Sequence, residues 1–244
     1  VLLATPYLNQ PEPYAVSMAM GLAVLPVAAK ASVEQGLETA LESALAHWLY
    51  HDEIWLRGNA KAKAEILLAI ARVRHALVLF GGIVPRKATT HLRALLNDAD
   101  AVLLAADTAD EALFRTEVVG AKLALTEWLV QRGWRPFLNE AGEKKIAGSF
   151  KRFADIHLSR VAAELRSAVQ HLAVEDAADQ LPKLSRDIDS VQLLAGAYGD
   201  AVAPWLENWQ ELQRAIEHDD RSVFEYFRRQ ALAAEPFWLH SGKR

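Results

Sequence analysis

The side chains best suited to chemistry in this sequence are cations, and they are clustered. Residues 57–93 hold eight Lys/Arg (Arg57, Lys61, Lys63, Arg72, Arg74, Arg86, Lys87 and Arg93) against one acid, Glu65, a local charge of +7, with His75 and His91 besides. Residues 98–117 carry six acids and only Arg115, and residues 144–166 return to +4. Clustered Lys/Arg without interleaved aromatics suits a compact polyanion better than stacked single-stranded bases. The sharpest local feature is Arg86-Lys87-Ala88-Thr89-Thr90-His91. It reads as two cations just before a helix capped by Thr89 or Thr90, whose first amides also favour anions. The bland alternative is a solvated loop and solvated helix faces.

Catalytic signatures are absent. The sequence has no Gly-x-x-x-x-Gly-Lys-Ser/Thr phosphate loop and no Gly-x-Ser-x-Gly elbow. His47 and His51 stand at i, i+4 beside Asp52 and Glu53, a spacing that can face a metal. The pattern is not His-Glu-x-x-His, no third ligand is evident, and His51 falls on an apolar stripe, so the pair reads as structural and no metal site is expected. No spacing marks two carboxylates as an acid/base pair. The tryptophans read as core.

These groups must be positioned by helices. Of the 244 residues 52% are hydrophobic, and Ala and Leu make up about a third, while there are only 12 Gly and 9 Pro. Seven Trp and eight Phe supply bulk for a core, and the absence of Cys rules out disulfides and thiolate chemistry. The net charge of −4 argues against bulk nucleic-acid binding. Ser32 with Gln35 forms a capping box, after which Leu37, Leu41, Ala44, Trp48, His51 and Trp55 recur at helical spacing until Gly58. A second helix over about 60–80 carries Ile66, Ile70, Val73, Leu77 and Phe80. A third runs from Thr89 or Thr90 through Leu104, and Thr108 with Glu111 opens a fourth that continues to about Gln131. Further helices are predicted at about 149–172, 182–198, 204–217 and 220–233, with no alternating strand pattern. A weak echo links residues 77–85 to 196–204 and suggests two similar halves. Residues 1–28, with Pro6, Pro11, Pro13 and Pro26 and the single charge Glu12, read as a linker or extension ahead of a domain over 29–244. Starting at Val1, the chain reads as a processed product or fragment. The uncharged stretch 15–29 is too short to span a membrane and lacks the positive start of an export signal.

Four runs carry a family resemblance: residues 73–87 (VRHALVLFGGIVPRK), 121–129 (AKLALTEWL), 149–160 (SFKRFADIHLSR) and 235–244 (EPFWLHSGKR). Over about 27–244 the sequence resembles the CHAD (conserved histidine α-helical) domain, in particular the C-terminal CHAD half of bacterial inorganic triphosphatases that begin with a CYTH tunnel domain. The resemblance implies an all-α fold of long helices in two similar four-helix halves around a basic groove, a cytoplasmic protein, and binding of phosphate or inorganic polyphosphate. It implies a CYTH domain as partner, and places triphosphate hydrolysis and its divalent metal (Mg) there. The Glu-x-Glu-x-Lys signature of that domain occurs nowhere in this chain, so no catalytic residue and no cofactor is expected here, nor a nucleic acid or membrane as partner.

Two departures from the family pattern bear on the ligand. Ala64, Leu67 and Ala71 stand where the family's His and two of its Arg usually lie along the helix spanning 60–80, leaving Arg72 and Arg74. In the second half Pro182 takes the usual His position, Lys183 and Arg186 supply the charge, and Asp187 and Asp189 oppose it. The basic segments and the resemblance together imply anion contacts from Arg72, Arg74, Arg86, Lys87, Arg152, Arg160, Lys183 and Arg186. Two functions compete: an accessory phosphate- or polyphosphate-holding module, and a structural or protein-interaction scaffold for the CYTH domain that has lost the ligand.

Overall fold

The computed structural model describes residues 21–239. The expectations for the first twenty residues, and the tail run beyond Leu239, lie outside that range. Every regular element among the described residues is helical, the one β contact being an isolated antiparallel bridge between Ser32 and Ser149. No helix among them is long and apolar enough to cross a membrane. The chain divides into two compact units, one holding residues 36–147 with 21–23, the other 24–35 with 148–239.

Helix α1 (Val33–Leu56), which lies in the first unit from Gly36 on, follows the predicted capping box, with Gln35 N donating to Ser32 Oγ at 3.1 Å and Ser32 N to Gln35 Oε1 at 2.8 Å. Its predicted stripe is the buried one, from Leu37 and Leu41 at 0% exposed to Trp55 at 5%. Gly58 ends it at φ +94°, its N–H donating to Trp55 O, a left-handed cap that glycine adopts without penalty. Helix α2 (Lys61–Leu79) buries Ile66, Ile70, Val73 and Leu77. Helix α3 (Arg86–Ala105) packs on α2 and on α5 (Thr116–Val130). Lys63 of α2 donates to the carbonyls of Leu104 and Ala106, placing a cation at the α3 C-terminus, where the helix dipole favours it. Trp128 of α5 donates to Ala88 O on α3 at 3.2 Å.

Three boundaries differ from the sequence expectation. First, α3 begins at Arg86 with Pro85 at the N-cap position, earlier than either threonine. Thr89 and Thr90 do not cap; both hydroxyls donate back to Arg86 O. Secondly, the single helix expected from Thr108 to about Gln131 is broken. The capping box of Thr108 and Glu111 opens only α4 (Ala109–Ala112), and the chain turns extended at Arg115 before α5. The break lets both Leu113 (3% exposed) and Val118 (0%) enter the core. Thirdly, a seven-residue helix, α6 (Glu140–Ile146), is capped by Asn139, whose side chain accepts from Gly142 N.

In the second unit, residues 24–35 form a strap. Leu25 N donates to Gln192 O at 3.1 Å, Val33 N to Gly148 O and Phe150 N to Ala31 O. Leu25 and Val27 are 1% and 3% exposed, so the end of the segment read as a linker is core. Helix α7 (Phe150–Val169) packs on α8 (Ala177–Leu194), α8 on α9 (Ala203–Glu217), and α9 on α10 (Arg221–Ala233). Helix α8 starts five residues before Pro182, the expected first residue, and carries that proline inside it. A 3-10 stretch (Ala195–Val202) links α8 to α9 and turns at Gly199, φ +59°.

Candidate anion-binding site

The eight cations expected to hold an anion fall four in each unit, and their surroundings differ sharply. Arg72 is 1% exposed, with Nη1 donating to Ala23 O at 2.9 Å. It lies three residues after buried Ala69 and four before buried Ala76 on α2, which puts its guanidinium inside the unit. Its guanidinium is thus held by a backbone carbonyl and turned away from solvent. Arg74 is about a quarter exposed; it donates to Leu96 O at 3.0 Å and lies 3.2 Å from Asp100 Oδ2. Within the basic stretch, Arg57 pairs with Glu53 at 2.6 Å and Lys63 is held by carbonyls. The +7 segment is thus not a single patch.

What remains is the start of α3. Arg86 and Lys87 are exposed in its first turn, which contains no acid. The helix dipole disfavours cations there, so the local positive potential is uncompensated. Arg93, two turns on, donates through Nε to Thr89 Oγ1 at 2.9 Å. Burial, and after it the charge of Arg86, lower the pKa of Arg93 below that of an ordinary guanidinium, which still leaves it charged. Lys87 Nζ stands 5.8 Å from the centroid of the Phe137 ring. No carboxylate among the described residues pairs with Arg86, Lys87 or Arg93. Three cations with no carboxylate partner among the described residues, at the amino end of a twenty-residue helix, can donate charge-assisted hydrogen bonds to phosphate oxygens. Arg93 lies outside the contacts expected from the sequence, although its spacing of seven from Arg86 puts the two on one helix face.

The second unit presents mixed charge. Arg160 lies 3.8 Å from Glu164, and Arg186 is 2.9 Å from Asp187, whose carboxyl is 3% exposed. Burial raises the Asp187 pKa, opposed by Arg186 and reinforced by Glu164, so these acids and cations of α7 and α8 lie close enough to neutralise one another. Arg152 is exposed and Lys183 half-buried. Lys151 pairs with Asp155 at 3.1 Å, and Tyr198 donates to the same carboxylate.

The face of α2 that departs from the family pattern is apolar and partly open. Ala64 is exposed, Leu67 and Ala71 are half-buried, and Leu68 and Val78 are 46% and 58% exposed.

The histidine pair read as structural is buried, His47 at 1% and His51 at 0% exposed. The structure adds a third group that the sequence reading did not connect to it. Glu65 of α2 places Oε2 3.0 Å from His47 Nε2. His51 Nδ1 lies 2.7 Å from His47 O, and the ring centroids are 4.2 Å apart. Burial lowers the pKa of His51, partly offset by its bond to that carbonyl.

An all-α bundle with a cationic helix start defines the class, and sequence comparison gives the family. Residues 39–229 match the CHAD domain, and the chain belongs to the CHAD domain family. Its fold is similar to the crystal structure of the CHAD domain from the plant Ricinus communis, with a TM-score of 0.53 and 16% sequence identity over 89% of each chain.

Proposed function

We propose that this chain is an accessory module that holds phosphate or inorganic polyphosphate beside the CYTH catalytic domain of an inorganic triphosphatase, and has no catalytic site of its own. The observation that carries this reading is the trio Arg86, Lys87 and Arg93 at the start of α3, which no carboxylate among the described residues pairs with. A linear polyanion gains most from cations whose charge is not already met, because each new ion contact then displaces water and counter-ions rather than a protein carboxylate. Arg86 and Lys87 are the outer contacts and Arg93 the inner one; Arg152 and Lys183 are secondary contacts in the other unit. The test is the double charge reversal Arg86→Glu with Lys87→Glu, titrated with tripolyphosphate. Losing two charge-assisted contacts at about 1.5 kcal/mol or more each weakens binding at least roughly a hundredfold. Unchanged affinity in a folded variant removes this site.

A second reading rests on the apolar exposed face of α2. With Leu68 and Val78 open and no cation at 64, 67 or 71, that face suits contact with a protein surface. The chain then serves as a scaffold for its catalytic partner domain. Absence of any polyphosphate binding, together with association abolished by Leu68→Asp, favours the scaffold.

A further inference from the structure

We propose that His47, His51 and Glu65 form a binding site for one divalent transition-metal ion, best matched to Zn2+, with a fourth coordination position open to water. The site lies wholly in the first unit and is independent of the cations on α3.

Each of the three residues offers one ligand atom, and these atoms all lie within 4.8 Å of one another. Zinc bound to histidine nitrogen and carboxylate oxygen at about 2.0–2.1 Å sets tetrahedral ligand atoms roughly 3.3 Å apart. His47 Nε2 and Glu65 Oε2 already stand at 3.0 Å. The i, i+4 spacing puts both imidazoles on one face of α1, and helix α2 brings the carboxylate to them. Closing the remaining distance needs side-chain rotation and no rearrangement of the helices.

The supporting hydrogen bond is also of the kind a metal site uses. His51 Nδ1 faces the carbonyl of His47 at 2.7 Å. A carbonyl only accepts, so Nδ1 carries the proton and the lone pair resides on Nε2. Metal-ligating histidines are characteristically fixed in this way, by donating the second ring N–H to a carbonyl or carboxylate. His47 Nε2 donates to Glu65 in the metal-free protein; metal binding at Nε2 requires that proton to move to Nδ1, so the imidazole stays neutral. Two neutral imidazoles and one carboxylate leave a net charge of +1 with Zn2+, which limits the cost of burial. Two nitrogens and one oxygen exclude Ca2+ and Mg2+ as preferred guests, since those ions take oxygen sets. Glu65, 19% exposed against 1% for His47, gives the way in.

The test uses the full chain, stripped with a chelator and titrated with Zn2+ by calorimetry and with Co2+ by visible absorption. The proposal expects one saturable equivalent, a rise in melting temperature with added Zn2+, and the intense Co2+ absorption of a four- or five-coordinate site. Glu65→Gln and His47→Gln weaken uptake more than about tenfold, while His218→Gln, on an exposed turn, leaves it unchanged. Circular dichroism confirms that the variants fold, and the Co2+ spectrum of the unmutated chain does not depend on them. No saturable equivalent, a weak six-coordinate Co2+ spectrum, or uptake indifferent to Glu65→Gln and His47→Gln overturns the proposal.

Discussion

Alanine at position 196 places a methyl group where the structure already holds a peptide. An ideal Cβ on Gly196 lies 1.7 Å from Leu25 O and 2.8 Å from Val27 N. Both neighbours are backbone atoms, so no side-chain rotation relieves the clash, and the strap must withdraw by more than about 1 Å. Withdrawal breaks the bond from Leu25 N to Gln192 O, about 1 kcal/mol. It also loosens Leu25 and Val27, at 1% and 3% exposed. Fully uncovering either costs about 1.5–3 kcal/mol, and a partial withdrawal a fraction of that. The expected loss for Gly196→Ala is therefore about 2–5 kcal/mol. Gly120→Ala is the control: it lies within α5 with nothing within 4 Å of its Cβ, and gains about 0.5–1 kcal/mol from the helix. Urea denaturation followed by far-ultraviolet circular dichroism reads both, as opposite shifts in midpoint at unchanged slope. Gly196→Ala within about 0.5 kcal/mol of the parent, with Gly120→Ala behaving as expected, refutes the docking of the strap against the 3-10 stretch.

Arg72→Ala leaves the Ala23 carbonyl unpaired and a cavity in the first unit. It lowers stability by about 2–4 kcal/mol with no change in tripolyphosphate affinity in the folded fraction, whereas Arg86→Glu with Lys87→Glu does the reverse. Glu225 accepts from Arg228 and Arg229, bonds that depress its carboxyl from 4.5 to about 2. A carboxyl lowered in the folded state adds stability above its unfolded pKa, and that stability is lost as pH falls through the folded one. Thermal melts between pH 4.5 and 2 lose part of their pH slope in Glu225→Gln, the effect being small because the group is exposed. Arg93→Gln, which keeps a donor for Thr89 Oγ1 but removes the charge, weakens tripolyphosphate binding by about tenfold at nearly unchanged melting temperature.

Helices with regular apolar spacing were legible residue by residue: the stripe Leu37, Leu41, Ala44, Trp48, His51 and Trp55 is the buried face of α1. Periodicity carried that, because one period of 3.6 fixes a face. The start of α3 was misplaced because threonine has two uses in a first turn. Its hydroxyl can cap from outside the helix or bond back to a carbonyl from within it, and only the Pro85 backbone decides between them. The break at Arg115 was invisible because Leu113 and Val118 enter the core from separate helices, a choice made by packing. Helix α6, with seven residues, is too short to show a period. At the site, charge density along the chain located the α3 cations but could not separate Arg86, which has no carboxylate partner among the described residues, from Arg74, which Asp100 holds. Such pairing is tertiary. In the sequence Glu65 is only the lone acid in a basic run, since its approach to His47 depends on two helices meeting.

Whether the cationic start of α3 holds a phosphate polymer is read by calorimetric titration of the full chain with long-chain polyphosphate at two salt concentrations. The expected result is saturable binding that is tighter for the long polymer than for tripolyphosphate, weakens steeply as salt rises and counter-ion release loses its advantage, and collapses in Arg86→Glu with Lys87→Glu. The absence of both heat and a shift in melting temperature at either salt contradicts it, and leaves the open apolar face of α2 as the surface through which this domain acts.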